Sequence, residues 1–229
     1  MPKLSIVVPV LDEAETIRGA LARLAPYRGR DVEVIVADGG SSDRTADLAR
    51  PLADRVLAAP RGRARQMNAG AAAATGDILM FLHCDCALPD NADHLVLDDL
   101  AQSGAAWGRF DVRIDGRHPL LRVVAMMMNM RSRLSGIATG DQAIFVRKHA
   151  FEQVGHFPDI PLMEDIAFSK ALKQISSPLC LRAQVTTSGR RWEKNGVLRT
   201  IVLMWRLRLA YFLGANPASL AKRYGYAND

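Results

Sequence analysis

The sequence predicts an α/β fold on a mostly parallel sheet, and three observations lead there. Short β-rich runs alternate with helical patterns through residues 4–82, the order that builds parallel sheets. The runs are apolar almost without interruption, as strands covered on both faces are. Several then break off into turn sequences carrying carboxylates, at the sheet edge where open α/β folds bind ligands.

The strand candidates in the first part are 4–10, 32–37, 55–58 and 78–82. Between them, residues 15–24 place Ile17, Leu21 and Leu24 on one helical face, and 43–50 follow a Gly-Gly-Ser-Ser turn. The Ala-rich stretch 65–74 ends at Thr75-Gly76, as helices do. The pattern then changes. Residues 107–114 alternate like a strand, 120–134 read as a Met-rich helix, 143–146 as a short strand and 166–174 as a helix.

With 229 residues, 49% of them hydrophobic, and a mean hydropathy near zero, the chain can bury a substantial core. No repeat, low-complexity tract or long linker interrupts it. The economical organisation is one domain over 1–192, with halves of about 1–105 and 106–192, and a basic helical extension over 193–229. Met1-Pro2-Lys3 runs straight into the first strand with no signal-peptide pattern, so a cytoplasmic protein is expected. Cys84, Cys86 and Cys180 are expected as reduced thiols.

The formal net charge of +6 is unevenly placed: residues 186–229 hold eight basic and two acidic side chains, and the rest balances at 22 of each. Such a tail suits an anionic partner or a solvated helix face equally.

The strand ends carry the chemistry. Strand one runs into Pro9-Val10-Leu11-Asp12-Glu13, and strand two into Asp38-Gly39-Gly40-Ser41-Ser42-Asp43. Asp38 is placed to accept hydrogen bonds from a base or ribose, with an Asx turn as the alternative. For Asp43 helix capping is the favoured reading. The fourth strand ends in His83-Cys84-Asp85-Cys86. If that segment is extended, pleating puts His83 and Asp85 on one face and both cysteines on the other, which disfavours a zinc cluster. A carboxylate beside a histidine suits Mg²⁺ or Mn²⁺, with water and phosphates completing the coordination. Downstream, Thr139-Gly140-Asp141-Gln142 precedes a strand, and Met163-Glu164-Asp165 opens a helix. Acids at a helix start are commonly caps, yet a general base needs only a carboxylate within reach of a hydroxyl.

Together, Ser5-Ile6-Val7-Val8-Pro9-Val10-Leu11-Asp12-Glu13, Ala37-Asp38-Gly39-Gly40-Ser41-Ser42-Asp43-Arg44-Thr45, His83-Cys84-Asp85 and Met163-Glu164-Asp165 make an ordered set that resembles family 2 glycosyltransferases of the GT-A fold. The likeness spans most of 4–192. It is nearest to small single-domain bacterial members with His-x-Asp where others have Asp-x-Asp, with Gly-Asp-Gln, Met-Glu-Asp and a late Arg-Arg-Trp.

The resemblance implies roles. Pro9, Val10, Glu13, Asp38, Arg65 and His83 would line the nucleotide site, with Asp38 reading the base and Arg65 reaching base or diphosphate. Asp85, helped by His83, would bind a divalent cation, Mn²⁺ or Mg²⁺, and an imidazole tilts the choice toward Mn²⁺. Asp165, with Glu164 beside it, would be the catalytic base of an inverting transfer. Gly140, Asp141, Gln142, Arg191 and Trp192 would border the acceptor. The donor would be a nucleotide-diphosphate sugar, with UDP favoured over GDP, and the acceptor a small molecule or a lipid-linked one; nucleic acid is not an expected partner. The Gln-x-x-Arg-Trp of processive members is incomplete, since Ser188 stands at the Gln position before Arg191-Trp192, so transfer of a single sugar is expected.

Residues 197–214 are apolar and helical but carry Arg199, Arg206 and Arg208, too short and too charged to span a bilayer comfortably. On a helical wheel Arg199 and Arg206 fall together and Arg208 nearly opposite, an imperfect amphipath. Peripheral docking on the inner face of an anionic membrane is one reading, and packing against the catalytic domain or a second subunit, hence a homodimer, is the other. A sugar nucleotidyltransferase would want a Gly-rich, Arg-containing loop after strand one, and a nicotinamide dehydrogenase a Gly-x-Gly-x-x-Gly turn; Leu11-Asp12-Glu13 provides neither. A non-catalytic nucleotide-sugar binder or membrane adaptor is the remaining alternative, against which Asp38, Asp85 and Asp165 stand together.

Overall fold

A computed structural model describes residues 3–225. Among them, eight strands form one mixed sheet ordered β3-β2-β1-β4-β7-β6-β8-β5. In chain order the strands are β1 (Leu4–Val10), β2 (Glu33–Asp38), β3 (Arg55–Ala58), β4 (Ile78–Phe81), β5 (Cys86–Ala87), β6 (Trp107–Asp115), β7 (Phe145–Arg147) and β8 (Leu179–Ser188). Strands β3, β2, β1 and β4 run parallel. Strand β7 reverses against both β4 and β6, β6 and β8 are parallel, and β5 reverses again. The expectation of an α/β, mostly parallel sheet with flanking helices is met.

The helices are α1 (Ile17–Ala22), α2 (Ala25–Arg28), α3 (Thr45–Ala49), α4 (Arg63–Ala73), α5 (Ala92–Ser103), α6 (Leu120–Ser135), α7 (Lys148–Gln153), α8 (Glu164–Leu172), α9 (Arg190–Asn195), α10 (Val197–Phe212) and α11 (Pro217–Tyr224). Strand β1 shows why its sequence reads as unbroken apolar residues. Leu4, Ile6, Val8 and Val10 pack into one core with Ile17, Leu21, Val96 and Leu100. Val7 points the other way, to Ala64, Met67 and Phe168. Helix α4 lies so close to β1 that a Cβ on Gly70 would sit 2.3 Å from a Val7 methyl, so the glycine is what permits the approach.

Sequence patterning located β1, β3, β6, α6 and α10 closely and did not find α5, α7 or β8. Helix α5 buries Ala92, Val96 and Leu100 with the carboxylate of Asp93 among them, a narrow mixed stripe that periodicity alone reads weakly. The extension expected over 193–229 is described to residue 225; its last four residues, with Met1 and Pro2, lie outside the described chain. Helices α10 and α11 pack back on the domain: Leu207, Leu220 and Ala221 enclose Leu162 and Met163 just before α8.

Candidate functional site

The nucleotide-side residues gather at the carboxyl ends of β1 and β2. Asp38 is 8% exposed and accepts the backbone N–H of Ser41 at 3.2 Å, with a further bond from the Ser41 hydroxyl, an Asx-type turn around Gly39-Gly40. Asp12, at a positive φ of 52°, accepts the Ser42 N–H at 2.7 Å and donates its own N–H to the Ser41 hydroxyl at 2.9 Å. Asp43 takes the Thr45 N–H at 2.9 Å and the Ala14 N–H at 3.0 Å; the Thr45 bonds, with the others, hold its carboxyl below the usual range. Glu13 receives the Thr16 hydroxyl, and its N–H reaches the Thr45 hydroxyl at 2.7 Å. The two loops are laced into one rigid edge.

Gln66 locks that edge from beneath and was not singled out by sequence. Its side-chain amide donates to Val10 O at 2.6 Å and Ala37 O at 3.0 Å, joining the ends of β1 and β2. The signal was a glutamine at the start of a helix otherwise lined with Ala, Gly and Met. A Cβ on Gly39 would meet this amide at 2.9 Å. Arg65 points elsewhere, pairing with Asp159 at 2.8 Å with both side chains well exposed; Arg63 instead lies 3.4 Å from Glu164.

The His83 to Cys86 segment corrects the pleat argument. Strand β4 ends at Phe81, and the next residues form a turn closed by Cys86 N–H to His83 O at 3.0 Å. Alternation therefore fails, because the chain there is not extended. His83, Asp85 and Cys86 bring one ligand-type atom each to within 4.8 Å of one another. Burial pushes the Cys86 thiol far up, and a soft sulfur is a poor match for a hard, oxygen-seeking cation. An imidazole and the exposed Asp85 carboxylate remain, a donor set that fits Mn²⁺ or Mg²⁺ with open positions for other oxygens.

The acceptor-side loop meets this turn directly. His83 Nδ1 lies 3.5 Å from Asp141 Oδ1, and a Cβ on Gly140 would come within 2.3 Å of the imidazole. Burial opposes the Asp141 charge, but the His83 bond together with the charges of His83, Arg63 and Arg208 keeps its carboxyl below the usual range. Gly140 N–H donates to Asp165 Oδ2 at 3.0 Å, and Ile166 N–H to Asp165 Oδ1 at 2.7 Å. Asp165 is thus braced at the first turn of α8, following Met163 at a φ of 71°. Glu164 is 3% exposed; burial and the Asp165 charge raise its carboxyl above the usual range against the pull of Arg63.

Gln142 is fully buried and closes a capping box with Thr139, so it shapes the loop that carries Asp141. Trp192 packs against Ile114, Leu121 and Val197. Arg191 stacks on Tyr224 at 3.7 Å and donates to its carbonyl at 3.0 Å. The structure therefore brings His83, Asp85, Gly140, Asp141, Glu164 and Asp165 together, sets Asp38 at the end of β2 on the far side of β1, and leaves Arg65, Arg191 and Trp192 with other partners. It also adds Arg208, half-buried on α10, whose charge is felt by both Asp141 and Asp165. Its place opposite Arg199 and Arg206 on the helical wheel was the sequence signal.

Comparison with known proteins points to one family and matches the fold. The sequence pattern of glycosyl transferase family 2 matches residues 5–155. The poly-beta-1,6-N-acetyl-D-glucosamine synthase of Staphylococcus epidermidis is 23% identical over 216 residues, covering 84% of this chain and 52% of that protein. The chain spans about half the length of the curated relatives it matches. Among solved structures, TarS residues 1–349 of S. aureus in complex with UDP-GlcNAc is 17% identical, with a TM-score of 0.66, covering 81% of this chain and 58% of that one. Mannosyltransferase PcManGT from Pyrobaculum calidifontis, in complex with GDP-Man and Mn²⁺, is 18% identical with a TM-score of 0.66, covering 98% and 69%.

Proposed function

The chain belongs to glycosyl transferase family 2, and from that membership and the site geometry we propose that it moves one sugar from a nucleotide-diphosphate sugar to an acceptor hydroxyl, with inversion. The observation that carries this reading is the 3.0 Å bond from Gly140 N–H to Asp165. It fixes a carboxylate beside the loop whose His83–Asp141 pair adjoins Asp85. Asp165 takes the proton of the acceptor hydroxyl as that oxygen attacks the anomeric carbon from the face opposite the leaving diphosphate. Asp38, Pro9, Val10 and Glu13 hold the nucleoside at the rigid β1–β2 edge.

Asp85 and His83 would hold Mn²⁺ or Mg²⁺, which when bound supplies positive charge to the leaving nucleoside diphosphate. A UDP-sugar is the favoured donor; the complexes of TarS with UDP-GlcNAc and of PcManGT with GDP-Man mark the two classes to compare. Transfer of a single sugar remains the reading although the S. epidermidis relative is named a polymer synthase, because Ser188 replaces the Gln of the processive motif. Titration of UDP and GDP with and without Mn²⁺ tests the donor site. Metal-dependent binding of one nucleotide that vanishes in Asp85→Ala is the expected result, and equal binding by that variant would sink the metal assignment.

The acceptor is proposed to be reached at an anionic membrane surface. Helix α10 exposes Leu198, Val202, Trp205, Leu209 and Phe212 at helical spacing, and α6 exposes Met126, Met130 and Leu134. These stripes lie on two helices packed together through Val124, Val197 and Ile201, with Arg199 and Arg206 exposed beside them. No helix among the described residues is long and apolar enough to cross a membrane, so the pattern is that of an interfacial face. Co-sedimentation with phosphatidylglycerol vesicles at low salt, weakened by Trp205→Glu, is expected; indifference to vesicles removes the membrane from the reading.

A further inference from the structure

Around helix α6 four arginines gather, Arg109 from β6, Arg131 and Arg133 from α6 itself and Arg208 from α10, and they are not equivalent. Arg109 and Arg133 share the carboxylate of Asp111, and Arg109 also donates to Asn129 O at 3.3 Å, which leaves its Nε buried without a partner but its charge paired. Arg131, between them, has buried Nε and Nη2 atoms with no hydrogen-bond partner. Arg208 approaches from α10, and among the described residues it too makes no ion pair or hydrogen bond. Both guanidinium charges act on Asp165.

We propose that Arg131 and Arg208 form a receiving site for a phosphate ester on the acceptor, holding that phosphate so that the acceptor's hydroxyl faces Asp165. A guanidinium buried without an acceptor is costly, and two of like charge brought together are costlier. A phosphate offsets both, since its oxygens match the planar fork of each arginine. Carboxylates lie near without bonding either guanidinium: Asp111 is engaged by Arg109 and Arg133, Asp141 pairs with His83, and Asp165 is bonded to two backbone N–H groups. Burial first, then the Arg208 charge, push the Arg131 guanidinium down to about 10, which agrees with a pair lacking its counter-anion. The donor's diphosphate is assigned to the Asp85 turn, whereas α6 and α10 reach Asp165 from the other half of the sheet. The phosphate is a handle and not the nucleophile, so no bond to it forms or breaks.

This inference rests on the transferase reading of Asp165, and binding measurements separate the two. Glycerol 3-phosphate serves as a soluble probe and phosphatidylglycerol nanodiscs as the lipid-borne one, with glycerol and phosphatidylcholine nanodiscs as controls. Titrations compare the full chain with Arg131→Gln and Arg208→Gln, alongside nucleotide binding and thermal unfolding. One phosphate probe is expected to bind about tenfold more weakly to each variant, with nucleotide affinity kept and Tm unchanged or raised, because each substitution removes an unpaired charge. Which probe binds identifies the source as soluble or lipid-borne. If neither phosphate probe binds the unaltered chain, if the variants bind as it does, or if Tm falls as for a structural arginine while phosphate affinity holds, the site is refuted. If nucleotide affinity falls in the arginine variants instead, the pair serves the donor and the acceptor assignment is overturned while the transferase reading stands. Loss of metal-dependent nucleotide binding by the unaltered chain would refute the transferase reading alone.

Discussion

The two halves of the sheet hold their functional groups in opposite ways. Around β1 and β2, Asp12, Asp38 and Asp43 are bonded into the loops that carry them, and Gln66 ties the two strand ends together. Around β7, α8 and α10, the functional side chains come from distant segments. Gly140 braces Asp165 across 25 residues, Arg63 reaches Glu164 across 101, and Arg208 arrives from a helix outside the sheet. One edge is a preorganised platform, and the other is assembled by tertiary packing and keeps charges in reserve. Substitutions in the first should therefore appear in stability, and those in the second in turnover.

Asp165→Asn is the largest test of that contrast. The amide keeps an oxygen for the Gly140 N–H but cannot take a proton, so transfer should fall by about 10² to 10⁴-fold. Nucleotide affinity should hold and Tm should fall only modestly, because the amide can accept from just one of the Gly140 and Ile166 N–H groups that the two carboxylate oxygens serve. Single-turnover transfer measured beside nucleotide titration checks it, and a comparable loss of nucleotide binding would mean that Asp165 belongs to the platform.

Gln66→Leu should behave in the reverse sense. The leucine fits a buried site but removes the donor to Ala37 O and one of the donors to Val10 O, which also accepts Gly39 N–H at 2.9 Å. Leaving such carbonyls short of a partner costs about 1–3 kcal/mol. Urea unfolding should show that loss, while the turnover of enzyme saturated with donor stays near that of the unaltered chain. Normal stability would show the β1–β2 edge to be less dependent on the amide than its geometry implies.

The same contrast explains what could be read from sequence. Asp38, Asp43 and their glycines are local features, legible because a turn sequence and its hydrogen bonds lie within a few residues. The β1 run was legible because burial on both faces leaves an unbroken apolar pattern. At Asp85 the reading depended on extended backbone, and the turn after Phe81 moved Cys86 to the side of His83. Arg131, Arg208 and the Arg63–Glu164 pair were out of reach, because their neighbours are set by packing between elements far apart in the chain. Arg65 illustrates the other limit: its residue type suits a phosphate, but its guanidinium pairs with Asp159 at 2.8 Å.

Glu164 gives the smallest and most directional test, because it sits where the assembled half stores charge. Burial, joined by the Asp165 charge, raises its folded-state pKa. A raised carboxyl binds its proton more tightly in the folded than in the unfolded chain. That contribution is fully present below the unfolded pKa and is lost as pH rises through the folded value. At neutral pH the ionised Glu164 therefore opposes folding, offset by an Arg63 side chain that is 40% exposed and so worth little to the pair. Glu164→Gln keeps shape and hydrogen-bonding capacity without the charge. Relative to the unaltered chain its stability should rise from pH 4 to pH 8, by under about 1 kcal/mol. Unfolding curves across that range read the slope directly. A flat difference would mean that Arg63 compensates the carboxylate in full, and that this half of the site is as well satisfied as the other.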